Sequence, residues 1–317
     1  VGLLERVRES CREVAGRARF VRIDRDRLSA FAASLAGREP PGLDPAIHHL
    51  GHGEKTVAFV LTLDAVNFGS GYFPHLRKRP GRSGYETIAS SLADHFRTNG
   101  PLQAEELVRI TPEACAALFG QDPADEPVRE LMGHFARSLQ DLGRYLLERF
   151  GGSPAALVEA AEHSAERLIG LLLEMPLYRD VHTYGGLQVA FYKRAQITAA
   201  DLYWAFDGRD YGAFWDIDAL TIFADNAVPH VLRMEGVLRY DPALASRIDR
   251  GELIPSGSPE EVEIRACALW AAEEMVRTLR RLRCETNAMR LDAILWHLHR
   301  EPRYRTLRPH RTRTTDY

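Results

Sequence analysis

Helix starts in this chain are marked by a capping side chain directly before a proline, as at Thr111-Pro112, Ser153-Pro154, Asp241-Pro242 and Ser258-Pro259. A cap oxygen satisfies a first-turn N–H that has no partner inside the helix. Proline suits the first helical position because its missing N–H would be orphaned there anyway. Glu261, three residues after Ser258, adds a capping box; Gly251 and Pro176 offer stops after the Asp241 and Ser153 segments. Within the segment running from Ser153 to Pro176, apolar residues return at helical spacing, as in Leu157, Ala161, Ala165, Leu168 and Leu172. These signals predict a mainly α protein.

Two stretches read differently. Residues 56–68, "TVAFVLTLDAVNF", are β-rich and apolar on both alternations, which predicts a buried strand. Residues 180–197 place Gly185-Gly186 between two short alternating runs, a hairpin signal. Thr198 is expected to cap the helix that follows, with Asp201 three positions on. Segments 120–127 and 251–259 read as surface loops, and neither repeats nor linkers divide the chain. Residues 1–317 are therefore expected to form one compact unit, or two closely packed helical subdomains, with a few short β-strands or a hairpin.

Composition narrows the function classes. The 317 residues are 45% hydrophobic and 27% charged, with a formal charge of −3, which argues against a protein that coats a polyanion. Cys11, Cys115, Cys267 and Cys284 are scattered without a CxxC pair and read as reduced thiols. No stretch of about 18 apolar residues occurs, and the charged N-terminal residues lack the apolar core of a signal peptide. A cytoplasmic location is expected.

The candidate chemistry lies in acids with apolar company. Residues 214–232, "FWDIDALTIFADNAVPHVL", set Asp216, Asp218 and Asp225 among Phe214, Trp215, Ile217, Leu220, Ile222 and Phe223. A lone buried carboxylate costs several kcal/mol even after the protein relaxes, so such positions are either capped and paired or functional. Asp218 reads as a helix cap. Pro229 implies an interruption after Ala224, where Phe223 and Asp225 can converge on one ligand. Asp292 sits alone in the apolar helical run "AMRLDAILWHLH", with Trp296 one turn and His299 two turns on. His48, His49 and His52 approach metal-ligand spacing, but Gly51 and Gly53 break the helix and no carboxylate stands beside them; contact with a polar ligand or a surface loop suits them better. Lys193 and Arg194 stand at a strand-to-helix passage where anions bind readily, unless this is simply a solvated turn. The tail 303–317 carries Arg303, Arg305, Arg308, Arg311 and Arg313. It reads as a solvated arm, or as guanidinium groups meeting phosphate or carboxylates.

Together these segments resemble the queuosine salvage protein family, the queuosine 5′-phosphate N-glycosylase/hydrolases. The likeness rests on "FYKRAQI" (191–197), "DIDALTIFADNAVP" (216–229), "EVEIRACALW" (261–270) and "RLDAILW" (290–296). "LDAVNF" (63–68), the Gly-Tyr pair at 84–85, "FGGS" (150–153) and "PHRTRTTDY" (309–317) add support. The resemblance implies a helical fold similar to helical DNA glycosylases. It further implies hydrolysis of the N-glycosidic bond of queuosine 5′-monophosphate, releasing queuine for tRNA modification. It places the catalytic aspartate on Asp292, the base-contacting pair on Phe223 and Asp225, and further ligand contacts on His48, with His49 beside it, and on His297. Eukaryotic relatives carry an acid where this chain has His297, and "GSGYFPHL" replaces an expected Phe-Trp pair, so the aromatic that closes the pocket is left open.

On this reading Asp292 faces an oxocarbenium-like ribosyl cation, and Asp216 is the expected helper that positions water. Asp225 accepts the two edge donors of a guanine-like base stacked on Phe223, and His48 or His297 donates a proton to the departing base. Lys193, Arg194 or the tail arginines meet the 5′-phosphate, and Trp296 lines the site. No metal or other cofactor is required. The expected partner is a small-molecule nucleotide, with no membrane and no stable nucleic-acid complex. A glycosylase acting on a base within tRNA or DNA and a non-catalytic queuine-binding protein are the alternatives.

Overall fold

The computed structural model describes residues 2–317. The four proline-marked helix starts are all present. The side chains of Thr111, Ser153, Asp241 and Ser258 accept bonds from first-turn N–H groups of helices Pro112–Leu118, Pro154–Glu159, Pro242–Asp249 and Pro259–Arg281. Glu261 departs from the expected box: its side chain accepts from Gly257 N, at 3.2 Å.

Helices dominate, and the strands form two small antiparallel pairs. Val21–Ile23 pairs with Leu238–Tyr240, and the predicted hairpin pairs Val181–Tyr184 with Leu187–Ala190. Gly185 and Gly186 turn that hairpin at φ +53° and +84°, values that side-chain-bearing residues rarely adopt. The apolar side chains form one contiguous core running from Leu4 to Tyr304. Each fully buried Leu or Phe contributes about 1.5–3 kcal/mol of transfer free energy toward ordering the chain. Among the described residues, no helix is long and apolar enough to cross a membrane.

Four sequence expectations are corrected. The predicted strand 56–68 is a helix, Glu54–Ala65, in which every residue from Thr56 to Ala65 is buried. A helix enclosed on all sides is apolar on every face and cannot be told from a buried strand by periodicity. The long segment after Ser153 is two helices, Pro154–Glu159 and Ala165–Leu172, parted where Glu162 and His163 take positive φ. Thr198 caps nothing, because its helix already starts at Lys193 and runs to Ala205; its hydroxyl bonds back to Arg194 O, at 2.8 Å.

The C-terminal segment is no solvated arm. Ile254 N donates to Arg311 O and Gly69 N to Tyr317 O, both at 2.8 Å, while an Arg311 guanidinium N–H donates to Gly71 O at 3.0 Å. A Cβ on Gly71 would stand 2.1 Å from Thr312 O, so only glycine allows the strap to lie this close. Arg313 pairs with Glu130, whereas Arg305 and Arg308 are exposed.

Candidate active site

Asn287 caps the helix Ala288–Leu298, accepting from Arg290 N at 2.8 Å, and Leu291, Leu295 and Leu298 fix the helix in the core. Asp292 shares that buried side and is 5% exposed. Its Oδ1 accepts from Phe223 N at 2.9 Å.

Phe223 belongs to an extended segment between a single 3₁₀ turn, Ile217–Ala219, and the helix Ala227–Met234. Four hydrogen bonds hold the segment open. Thr221 N donates to Gln196 Oε1 at 2.8 Å, Arg265 Nε donates to Ala224 O at 2.9 Å, and Asp225 Oδ1 accepts from Ala227 N and Val228 N at 2.8 and 3.1 Å. Asp225 thus spends one oxygen starting a helix; Oδ2 accepts no hydrogen bond among the described residues. The helix interruption expected after Ala224 is instead a helix start: the segment before it is extended, and Pro229 lies inside the helix Ala227–Met234, which leaves Phe223 N against the Asp292 carboxyl with Asp225 two residues on.

Lys193 enters from the other side. Its backbone N donates to Asp180 Oδ2 at 3.2 Å, and its Nζ donates to Asn67 O and Oδ1 at 3.0 and 3.4 Å. Asn67 in turn donates to Asp64 Oδ1 at 3.1 Å, while Asp64 Oδ2 is buried without a partner. Asp201, two turns along the helix from Lys193, is 7% exposed. Burial and the Asp225 charge hold Asp292 well above the usual carboxylate range, opposed by the Phe223 N–H and Lys193. Burial, with the Asp64 charge, does the same to Asp201. Asp64 is pushed up to about 7 by burial, against the pull of Asn67 and Lys193. Burial also lowers Lys193, which Asp225, Asp64 and Asp292 counteract.

A third wall is aromatic. His48 Nδ1 lies 2.8 Å from Asp44 O and must donate to it, so its Nε2 accepts from the Tyr85 hydroxyl at 3.1 Å. Burial keeps this histidine below its ordinary range and hence neutral. Trp296 meets the Tyr85 ring edge-on at 5.8 Å.

Other predicted residues are not brought to this place. Asp216 puts both oxygens on the start of the helix Ala165–Leu172, accepting from Ala165 N at 2.6 Å, Ser164 Oγ at 2.8 Å and Glu166 N at 3.1 Å. Arg194 is buried between the rings of Phe68 and Tyr178, each 4.6 Å away, and donates to the carbonyls of Ala65 and Leu177. His49 stacks on His52 at 4.1 Å, and neither of its ring nitrogens has a partner. His297 bonds to Ala293 O and faces an outer cleft with Arg38, Glu39 and Glu301. It is His299 that feels the Asp225 charge. Asp218 accepts from Asn287 at 2.5 Å rather than capping its own helix.

Asp180, His182 and Asp316 form the one group with metal-ligand spacing among the described residues. Arg265 already takes both Asp180 oxygens, at 2.9 and 2.6 Å, and hydrogen bonds donated to the Asp180 and Asp316 carboxylates raise His182 to about 10, against its burial. A protonated imidazole offers no lone pair, so this donor set suits an ion-pair network rather than a cation.

Asp64, Asn67, Tyr85 and Asp201 escaped the sequence reading as site residues. Had the helix been started at Lys193, the eight-residue spacing to Asp201 would have placed both on one face.

A family model described as queuosine salvage protein matches residues 47–317. The chain is 41% identical over 313 residues to a queuosine 5′-phosphate N-glycosylase/hydrolase of Sphaerobacter thermophilus, covering 96% of each chain. It is 32% identical over 335 residues to the Mus musculus protein of that name, covering 98% of each, and 32% identical over 320 residues to that of Bos taurus, covering 93% of each.

Proposed function

The chain belongs to the queuosine salvage protein family, and we infer from this that it is an N-glycosidic hydrolase that frees queuine from queuosine 5′-phosphate. The observation that carries the residue assignment is the hydrogen bond from Phe223 N to the buried carboxyl of Asp292. It ties the group suited to the sugar to the segment suited to the base.

In the reaction the C1′–N bond breaks with its electron pair leaving on the base, water supplies the hydroxyl that C1′ acquires, and the balancing proton ends on the base nitrogen. Positive charge builds on the ribosyl ring as the bond lengthens, and Asp292 is the group we assign to face it. A carboxylate that burial disfavours in the empty pocket has the most to gain when that charge appears, so its attraction favours the transition state over the ground state. Lys193 opposes that penalty, a balancing role we prefer to phosphate binding because its Nζ is already held by Asn67. Phe223 offers the stacking face, and the free Asp225 oxygen accepts from the base edge. His48, neutral and accepting from Tyr85, positions that phenol rather than donating a proton itself.

We assign Asp216 to capping, Arg194 to the core, and His49 and His297 to positions outside the pocket. Cys11, Cys115, Cys267 and Cys284 are free, in keeping with a reducing, cytoplasmic setting, and the charge of −3 disfavours a stable nucleic-acid complex. The test is queuine release by mass spectrometry from queuosine 5′-monophosphate, queuosine and queuosine-containing tRNA in parallel. Release from the monophosphate is expected; release from tRNA alone would make the protein a polynucleotide glycosylase instead.

A further inference from the structure

The residues assigned to the reaction have almost no contact with solvent: Asp292, Lys193 and His48 are each 5% exposed, and Phe223 is 7% exposed. A nucleotide reaches such a site only if part of its wall moves, and a segment with few buried contacts and few backbone bonds moves most readily.

Two irregular segments near the site are firmly tied. Residues 220–226 are held by the four hydrogen bonds described above, and the C-terminal strap is bonded to Gly69, Gly71 and Ile254. Residues 36–46 differ from both. None of them is buried, whereas Leu35 and Ile47 at the two ends are. Among the described residues, no backbone N–H or C=O of residues 39–43 bonds to the rest of the protein. Gly37 stands at φ +75° with no atom within 4 Å of the place a Cβ would take, so the chain is free to turn there. Pro40-Pro41 stiffens the middle, so that it moves as a unit.

This loose segment lies along the helix that carries Asp292. Glu39 pairs with Arg290 at 2.8 Å, two residues before Asp292. Arg38, Glu39 and Pro41 form one wall of a cleft of about 370 Å³, and Ile294, His297 and Leu298 of that helix form another. At the far end of the segment, Asp44 O accepts from His48 Nδ1, and His48 leads through Tyr85 to Trp296. The segment therefore follows the helix from Arg290 to Leu298, and its one ion pair to that helix has Glu39 83% exposed. An ion pair so open to water favours closure only weakly.

We propose that residues 36–46 are a lid over the active site, latched by the Glu39–Arg290 pair, and that the nucleotide enters and queuine leaves along the cleft beneath it. This rests on the hydrolase reading above. The lid shields the buried carboxyl of Asp292 from water when closed and frees a path beside its helix when open.

The experiment locks the lid. Glu39→Cys and Arg290→Cys are combined in a Cys284→Ser background; Cys11, Cys115 and Cys267 are buried. A bis-maleimide with a reducible disulfide in its spacer bridges the pair, and peptide mass spectrometry confirms the bridge. The bridged protein is expected to release queuine from queuosine 5′-phosphate at least about tenfold more slowly than the unbridged double variant, and reduction is expected to restore the rate. A second variant needs no reagent. Glu39→Arg sets like charges together and is expected to speed queuine dissociation in stopped flow about 3–5-fold at low salt, with the gap from wild type closing at high salt. A bridged protein as fast as the unbridged one, or dissociation from Glu39→Arg no faster than from wild type, would overturn the proposal. Failure of the wild type to release queuine would instead refute the hydrolase reading, because that arm carries neither bridge nor substitution.

Discussion

Two buried charge networks lie within one helix of each other and are built on opposite terms. Around Arg265, which is fully buried, the charges are closely paired, although Glu261, 3.7 Å from the guanidinium, keeps an oxygen with no hydrogen-bond partner among the described residues. Its guanidinium meets both oxygens of Asp180, its Nε reaches Ala224 O, and His182 bridges Asp180 to Asp316. Around Lys193 the books do not balance. Asp64, Asp201, Asp225 and Asp292 all bear on Lys193, and Asp64 keeps a buried oxygen with no partner among the described residues. The first network positions the second, since Arg265 and Asp180 fix both the Phe223 segment and the backbone of Lys193. Close bidentate pairing makes a frame, and looser pairing leaves interactions for a substrate to complete.

The largest effect is expected at the unpaired network. Asp292→Asn should lower queuine release about 10³-fold, the scale of removing one preorganised electrostatic group, in protein that remains folded by circular dichroism. At the paired network the loss should fall on stability. Arg265→Met leaves Asp180 charged and buried with His182 as its remaining partner, and denaturant unfolding should show a cost of about 3 kcal/mol. Adding Asp180→Asn to Arg265→Met should recover much of it, since neither partner is then orphaned. At the boundary, Asp225→Asn keeps the oxygen that starts the Ala227 helix but turns the free acceptor into a donor. Calorimetry should show queuine affinity down by about 10–100-fold, with little change in unfolding midpoint.

The two networks should also answer pH in different windows. Asp201 and Asp292 lie well above the usual carboxylate range and Asp64 near 7, so the folded state retains protons that the unfolded chain releases. Their contribution to stability should fall as pH rises from about 4 toward 7. Asp180 is held low by Arg265 and His182 against its burial, so its contribution is complete above the ordinary aspartate range and fades as pH drops below it. His182, raised to about 10, contributes fully below about 6.5 and loses that contribution as pH rises through 10. Midpoints followed across pH in wild type and in Asp64→Asn/Asp201→Asn should differ in slope between pH 4 and 7, flatter in the variant. The smallest effect belongs to an acid outside both networks: Asp216→Ala removes a helix-start acceptor, should cost about 1–2 kcal/mol, and should leave queuine release unchanged.

What was legible in the sequence follows the same division. Helix starts are written locally, in a cap and a proline side by side, and those at Thr111, Ser153, Asp241 and Ser258 stood where they were read. The hairpin at Gly185-Gly186 is equally local. The helix Glu54–Ala65 was misread because complete burial erases the polar face that reveals a helix. Phe223, Asp225 and Asp292 stood out as acids and an aromatic in apolar surroundings, whereas Asp64 and Asp201 lay in helices whose burial no local pattern disclosed. Asp216 looked the same as Asp225 in sequence. Only the fold shows that its oxygens meet the N–H groups of Ala165 and Glu166, some fifty residues away.

The most direct test is the denaturation midpoint of Asp292→Asn, measured at neutral pH on the same preparation assayed for queuine release. The account predicts a midpoint above that of the wild type, because the amide retains the bond from Phe223 N without the cost of a buried carboxylate, together with collapsed release. A midpoint below the wild type with release preserved would show Asp292 to be part of the frame, and would contradict the division on which the site assignment rests.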